Sequence, residues 1–253
     1  MTATFLVLLA ATIGAEPKPE QLTKARAALK DASVEVRRTA IKDLIHSDLS
    51  EHLAKEMFEC LKDSDGDVRS TAGSAIGNLG AKAEPAISAL IAQMEKDSVK
   101  EARETAARAL GRIGKASPAN RTAVKPLKKA ATEDADLVTR TVALGALAMM
   151  DEDVPGQVIA LRKFLHDDEA LVRMKAAHAL GMIGVAAKEA APEIIVVLEK
   201  ETDGHRRGYV ARALGNIGDA KSLPALQAAL KKETEDAAKG EMRGAIQKLG
   251  GMP

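Results

Sequence analysis

Five histidines and a single cysteine are the residues of this chain that could most readily do chemistry. Two histidines four residues apart on one helix would indicate a metal site, because both rings would face the same ion. No two histidines have this spacing, and none is followed directly by glutamate; they are His46, His52, His166, His178 and His205. The sequence therefore predicts no catalytic residue, no metal site and no cofactor.

Cys60 lies in the stretch EMFECLKD, between Phe58 and Leu61. A lone cysteine allows no disulfide within the chain. A catalytic thiol needs a nearby base and a cleft, and neither is indicated by the surrounding residues. We interpret Cys60 as a small buried apolar residue.

The composition favours an all-helical protein with small side chains at its contacts. Of the 253 residues, 46% are hydrophobic but only 2% are aromatic, and tryptophan is absent. Alanine and leucine dominate the apolar set, and both are strong helix formers. The formal charge is 37 − 36 = +1, which argues against a nucleic-acid binder that relies on overall positive charge.

One phrase recurs along the chain. ARALGRIG at residues 107–114 returns as AHALGMIG at 177–184, ARALGNIG at 211–218 and more loosely GSAIGNLG at 73–80. Counting from the residue before a recurring arginine, position zero falls 32 to 36 residues apart, at Val36, Val68, Ala102, Val138, Val172, Arg206 and Met242. Apolar residues at positions four, eight and eleven predict a helix with one buried face.

A first helix precedes this one in each unit and tends to open near a proline, as at Pro85, Pro155, Pro192 and Pro224. Short acidic turns such as KDSDGDVR separate the two helices, and their aspartates can cap the second helix.

The pattern D-x-x-x-x-V-R-x-x-A-x-x-A-L-G-x-I-G resembles the HEAT repeat in its short bacterial, phycobilisome-lyase-like form, and DDEALVRMKAAHALGMIG fits it closely. The resemblance covers residues 21 to 251 and implies an all-α solenoid of about seven stacked antiparallel helix pairs. Together with the leader discussed below, the predicted organisation is a signal peptide at 1–15 and one solenoid at 16–253. Its units lie roughly at 21–48, 49–82, 83–118, 119–152, 153–186, 187–220 and 221–251.

The recurring polar and glycine positions are expected to serve this fold. The arginines at position one, with Thr139 as the one break, should pair with acidic turns of their own or the adjacent unit. The glycines at position nine should allow close helix approach, and those at position twelve, including Gly114, should end the helices. The irregular fourth unit, LVTRTVALGALAMM, indicates either a bend or an exposed contact patch at Leu147, Met149 and Met150.

Two functional interpretations stay open. The first is a non-catalytic scaffold that binds a protein partner with an acidic or polar surface on a concave, mildly basic face. Its candidate residues are Lys42, Arg108, Arg112, His178, Tyr209 and Arg212, although these could also belong to ordinary solvated helix faces. We expect a monomer with no nucleic-acid partner and no stable membrane span.

The second interpretation is an enzyme or enzyme accessory similar to phycobilin lyases, which share the repeat. Deoxyhypusine hydroxylase, another enzyme with HEAT repeats, binds iron through His-Glu pairs, which this chain lacks. We therefore do not extend that activity to it.

The first fifteen residues, MTATFLVLLAATIGA, carry no charged side chain and contain an apolar run. This is typical of a secretory signal peptide cleaved after Ala15, although a basic residue near the start is missing. The run is too short to span a bilayer, which takes about 20 residues. The segment predicts export to the periplasm or medium; without a true signal peptide the chain would be cytoplasmic.

Overall fold

The computed structural model describes residues 17–45 and 47–252, so the predicted leader and His46 lie outside the described residues. The described residues form fourteen α-helices. They are α1 (Pro19–Ala28), α2 (Val34–Leu44), α3 (Ala54–Glu59), α4 (Gly66–Gly77), α5 (Ile87–Lys96), α6 (Lys100–Ala116), α7 (Val124–Glu133), α8 (Leu137–Met149), α9 (Val154–Phe164), α10 (Ala170–Ile183), α11 (Ala191–Lys200), α12 (Gly204–Ile217), α13 (Leu223–Lys232) and α14 (Asp236–Lys248).

These helices form seven successive pairs, and the fold is the predicted all-α solenoid. The even-numbered helices pack along their lengths on one another in the order α2, α4, α6, α8, α10, α12, α14. The odd-numbered helices of neighbouring pairs touch each other much less. The even-numbered helices therefore form the tightly packed inner layer, and within the described residues no helix is long and apolar enough to cross a membrane.

The helix boundaries follow from local chemistry. In three acidic turns an aspartate accepts a hydrogen bond from the first turn of the following helix: Asp65 from the Val68 amide, Asp136 from Thr139 and Asp203 from Arg206. Proline occupies the first turn of α9, α11 and α13, where its missing N–H has no partner to lose. The predicted capping is thus confirmed for these helices.

Neighbouring inner helices approach each other through glycine. A Cβ atom added at Gly111 would lie 2.7 Å from the Cα atom of Ala146. The same distance would separate such an atom at Gly181 from the Cα of Ala213. The predicted close approach is confirmed, and it offsets the low helix propensity of glycine, which costs about 1 kcal/mol per residue.

Arginine side chains link successive units in a ladder along one edge of the solenoid. In the described residues, four of the recurring arginines form two-pronged ion pairs with a carboxylate of the next unit: Arg37 with Asp63, Arg69 with Asp97, Arg103 with Asp134 and Arg207 with Glu233. The hydrogen bonds from Arg207 lower the pKa of Glu233 to about 2. The structural role predicted for these arginines is confirmed.

The structure corrects the register of the fourth unit. Arg140 donates to the carbonyl oxygen of Asp134, six residues earlier, as Arg173 donates to that of Asp167. Arg140 therefore fills position one, and position zero is Thr139 rather than Val138. Position zero now lies 37 residues after Ala102, against 34 residues for the step before it, so extra residues between α6 and α8 displace the reference and Thr139 was wrongly interpreted as a break.

This shift explains the supposed irregularity of the fourth unit. Leu147 now falls at position eight and is 1% exposed, as an apolar stripe requires. Met150 is also buried, while Met149 is half-buried. Leu147 and Met150 therefore do not form an exposed contact patch, because both side chains belong to the core.

The last unit is also out of register with the prediction. A Cβ atom at Gly215 would meet the Cα atom of Ala245 at 2.7 Å, just as Gly181 meets Ala213. Ala245 is thus at position seven and position zero is Ala238, one helical turn before Met242. With both corrections, position seven is alanine in every unit from the second to the seventh: Ala75, Ala109, Ala146, Ala179, Ala213 and Ala245.

The glycines at position twelve do not all end helices. Gly80, Gly184 and Gly218 have positive φ angles, as expected for C-terminal caps. Gly114 instead lies inside α6, which continues to Ala116. A Cβ atom there would come within 2.7 Å of the Met150 sulfur, so the prediction for Gly114 was wrong and packing against α8 explains its glycine.

Candidate functional site

The inner face of the solenoid is concave across α6, α8 and α10. The Glu104 carboxylate on α6 accepts a hydrogen bond of 2.6 Å from the Lys175 ammonium on α10. These two helices are not neighbours, because α8 lies between them. Side chains of alternate helices can meet in this way only if the three helices curve toward each other on this side.

A notch opens on this face above Gly145. In the corrected register, position six carries Lys42, Ser74, Arg108, Gly145, His178, Arg212 and Gly244 from the first unit to the last. Gly145 has no side chain to fill the space between Arg108 and His178. The resulting notch is small: it leaves about 30 Å³ of space for the centres of water-sized groups and is partly open to solvent.

The notch has an apolar floor and charged walls. Six of its ten lining residues are glycine, alanine, valine or methionine: Val142, Gly145, Ala146, Met149, Ala179 and Met182. The other four are Glu104, Arg108, Lys175 and His178. The notch is therefore a place where an apolar group could be buried next to ionic groups.

Arg108 and Arg112 extend from α6 toward this face. The Arg108 guanidinium donates to Glu104 at 2.5 Å, while its buried Nε–H has no hydrogen-bond partner among the described residues. Arg112 donates to the Asn78 side-chain oxygen at 2.6 Å. Burial, together with the charge of Arg108, lowers the pKa of Arg112. Both cations are thus partly removed from water, and only Arg108 bonds a carboxylate among the described residues.

His178 on α10 is held neutral by its surroundings. Burial, together with the positive charges of Arg212, Arg108, Lys175 and Arg112, lowers its pKa to about 4. Its ring meets the edge of the Tyr209 ring at a centroid distance of 6.0 Å. At neutral pH this imidazole therefore adds polarity to the notch without adding charge.

Tyr209 on α12 contacts both His178 and the Arg212 guanidinium. The Arg212 guanidinium lies over the Tyr209 ring, 4.4 Å from its centroid, which is a cation–π arrangement. Arg212 also forms an ion pair of 3.1 Å with Glu241. His205 meets the other side of the tyrosine at 4.9 Å.

Five of the six residues predicted for partner binding thus lie on one face, from α6 to α12. Lys42 does not join them: it is exposed on α2, and α4 lies between α2 and α6. Sequence analysis missed Glu104, Gly145 and Lys175. The i,i+4 spacing of Glu104 and Arg108 was a signal for the first, whereas nothing local indicates that Lys175 reaches a residue 71 positions away.

Reactive side chains elsewhere in the described residues are not assembled into a catalytic or metal site. Cys60 is 5% exposed, and burial raises the pKa of its thiol to about 11, with a further contribution from Asp63. Burial of this thiol matches the prediction. In the described part of the chain, no group of three or more histidine, cysteine, aspartate or glutamate side chains could hold a metal ion.

The geometry so far defines an α-solenoid repeat protein with a concave inner face. The sequence matches the family model for HEAT repeats over the overlapping ranges 22–111, 54–148, 87–181, 125–208 and 158–247. The chain therefore belongs to the HEAT-repeat family, as its repeating phrase indicated. A search of curated proteins gave no significant match.

Solved structures of similar fold include the complex of CpcE and CpcF of phycocyanin lyase from Nostoc sp. PCC7120. That likeness has a TM-score of 0.56 and 20% identity, and covers 94% of this chain and 97% of the other. Kap121p bound to Pho4p matches with a TM-score of 0.51 and 15% identity, over 91% of this chain and 29% of Kap121p. Human deoxyhypusine hydroxylase gives 0.46 and 22%, over 92% and 86%. At these identities the likenesses show the fold alone.

Proposed function

We propose that this protein is a non-catalytic HEAT-repeat scaffold that binds a protein partner with an acidic or polar surface along its concave inner face. The observation that carries the proposal is the row of partly buried Arg108, Arg112, Tyr209 and Arg212 beside the notch. Arginine and tyrosine are the residue types that most often dominate the binding energy of protein interfaces.

The charge balance of this face favours an acidic partner. It carries four cations, Arg108, Arg112, Lys175 and Arg212, against two carboxylates, Glu104 and Glu241. The local excess of two positive charges contrasts with the near-neutral chain as a whole. A carboxylate arriving beside Arg112 would supply the anionic partner that no described residue gives it, and complementary charge also speeds association.

Two solved structures support binding of proteins by this kind of fold. Kap121p is seen bound to Pho4p, and CpcE is seen in complex with CpcF. We further propose that this chain acts as a monomer. Size-exclusion chromatography with light scattering would contradict this by giving twice the mass of the chain.

The test of the proposal is capture of partners by the purified protein, followed by charge reversal. We expect the double variant Arg108→Glu with Arg212→Glu to lose the captured protein, because two attractive contacts become repulsive. The matched control is Lys129→Glu with Lys200→Glu, which makes the same charge change at exposed sites on the outer helices α7 and α11. Equal capture by both double variants would refute the assignment of the inner face.

An alternative function is an enzyme or enzyme accessory of the phycobilin-lyase type. It is favoured by the likeness to the CpcE–CpcF complex over nearly the whole of both chains. A chromophore that copurifies with the protein, or is transferred by it to an acceptor, would establish this alternative. The measurement is the visible absorbance spectrum of the protein before and after incubation with a bilin.

We also propose that the protein is exported, on the basis of the apolar segment at residues 1–15. The chain isolated from its natural source should then begin at Glu16 and be found outside the cytoplasm. Intact Met1 or Thr2 at the N-terminus of a cytoplasmic product would contradict this.

A further inference from the structure

We propose that the notch above Gly145 receives one apolar side chain of an acidic partner segment, with Arg112 and Arg212 binding carboxylates on either side of it. This inference rests on the proposed function, because it names the chemistry of the partner that the inner face would select.

The floor of the notch favours an apolar occupant. Val142, Ala146, Met149 and Met182 present hydrocarbon and thioether groups to the space above Gly145. These groups offer no strong hydrogen bond, so a polar side chain placed there would lose water without replacement. Methionine side chains have several rotatable bonds and can adapt to the shape of an inserted group.

The walls make this apolar site compatible with an acidic segment. Glu104 is the one carboxylate among the lining residues, and it is bonded to both Arg108 and Lys175. Its charge is therefore balanced before any partner arrives. His178 forms the opposite wall and contributes no charge at neutral pH.

The order of the helices predicts the order of residue types along the bound partner segment. Arg112 stands on α6, the notch lies over α8, and Arg212 stands on α12 beyond His178 on α10. A segment that crosses the inner helices thus meets a cation, then the apolar notch, then a second cation. The corresponding partner pattern is an acidic residue, an apolar residue and a second acidic residue.

The other central units lack the small residue at position six that forms the notch. Position six carries arginine or histidine in units three, five and six, at Arg108, His178 and Arg212. Only the fourth of these four consecutive units places a glycine there, so the apolar site has a unique position along the face.

The probe is a pair of short synthetic peptides that differ at one residue. One carries a single leucine between runs of aspartate and glutamate, and the other carries serine in its place. Fluorescence anisotropy measures the binding of each to the full chain. We expect the leucine peptide to bind at least about tenfold more tightly, since burial of a leucine side chain accounts for a difference of this size or more.

Two variants fill the notch from different helices. Val142→Phe fills it from α8, and Met182→Trp narrows it from α10, so a folding defect in one does not decide the result. Each should remove the advantage of the leucine peptide. The control is Ile159→Phe on the outer helix α9, where the side chain is 60% exposed, and it should leave both affinities unchanged.

The outcomes separate this inference from the proposed function. If both peptides bind equally, depend on Arg112 and Arg212 and ignore the filled notch, the notch inference is wrong while the basic face stands. If neither peptide binds, the inference also fails. If, in addition, charge reversal leaves partner capture intact, the proposed function fails with it.

Discussion

His178 shows how strongly the surroundings of a single residue control its chemistry on the inner face. The imidazole is buried beside the cations Arg108, Arg212, Lys175 and Arg112, and the carboxylate of Glu104 lines the same notch. An isolated histidine of this sequence could be an acid, a base or a ligand. Here it is held neutral, which no local sequence signal would indicate.

Acidification should destabilise the protein through this histidine. Its pKa is about 4 in the folded chain against 6.5 ordinarily, so the unfolded chain binds more protons between these values. Stability is then fully present above about pH 6.5 and falls as the pH drops toward 4. Urea unfolding at several pH values should show this fall, and His178→Gln should reduce it in that window alone.

A variant with an unchanged slope between pH 4 and 6.5 would contradict the assignment to His178. A second loss of stability is expected in both proteins at lower pH. It arises from carboxylates whose pKa is lowered in the folded chain, such as Glu233 beside Arg207, whose pKa falls from 4.5 to about 2. The stability that this ion pair contributes is fully present above about pH 4.5 and is lost as the pH falls to about 2.

Gly111 and Gly244 have opposite predicted responses to alanine. Gly111→Ala should destabilise the fold by about 1–3 kcal/mol, because the new methyl group would lie 2.7 Å from the Ala146 Cα atom. Gly244→Ala should stabilise it by about 0.5–1 kcal/mol, since nothing lies within 4 Å and alanine favours the helix. Thermal or urea unfolding measures both changes.

The two glycines both occupy helix interiors, so each serves as the control for the other. Equal effects of the two alanines would show that helix propensity alone governs these positions. The close packing of α6 against α8 would then have no energetic weight.

At the scale of the helices, the sequence predicted correctly that the helices form and pair. It predicted the register of the fourth and the last unit wrongly. Aliphatic residues at fixed offsets identified the inner helices, and prolines and acidic turns marked their starts. In α8 the error came from aligning Val138 with the valine that precedes the arginine in other units, although Arg140 itself fills position one. In α14 it came from taking Arg243 as the recurring arginine, whose place Lys239 holds. Alanine at position seven faces a neighbouring backbone and is constant from the second unit to the seventh.

The ion pairs of the arginine ladder should stabilise the contacts between successive units. In Arg207→Ala the Glu233 side chain, which is fully buried, would lose its two-pronged partner. We expect a loss of about 2 kcal/mol, as for hydrogen bonds to a charged group. Urea unfolding of the full chain, followed by circular dichroism at 222 nm, measures it.

Lys82→Ala is the matched comparison on the surface. Glu51 precedes α3 and Lys82 precedes α5, and the two form an ion pair, but their side chains are 56% and 62% exposed. Its removal should change stability by less than about 1 kcal/mol. A ladder variant no more costly than this one would show that the arginines serve some purpose other than holding units together.

At the scale of the whole molecule, curvature decides which residues form a site. The sequence placed Arg108, His178 and Arg212 on equivalent positions of successive helices, which is a periodic argument. It could not place Glu104 and Lys175 together, because their contact depends on how far the stack bends over α8. The row of cations in the candidate site could thus be predicted from the sequence, whereas the notch could not.

The ion pair between Glu104 and Lys175 should help to maintain this bend. Lys175→Met removes the charge but keeps a long side chain, and we expect the inner face to open, with a larger radius of gyration in small-angle X-ray scattering. Lys188→Met, which removes an exposed lysine from its ion pair with the buried Asp219, is the control and should leave the radius unchanged. Identical scattering from both variants would mean that backbone packing alone sets the curvature.

The same contact bears on how the solenoid unfolds. Stability in repeat proteins is usually a sum of intrinsic and nearest-neighbour contributions, so units can open one at a time from either end. A bond that passes over α8 joins the third unit to the fifth directly. Unfolding of the fourth unit would therefore break contacts of three units at once. The middle of the protein should then unfold as one cooperative block, while the units toward either end unfold more easily.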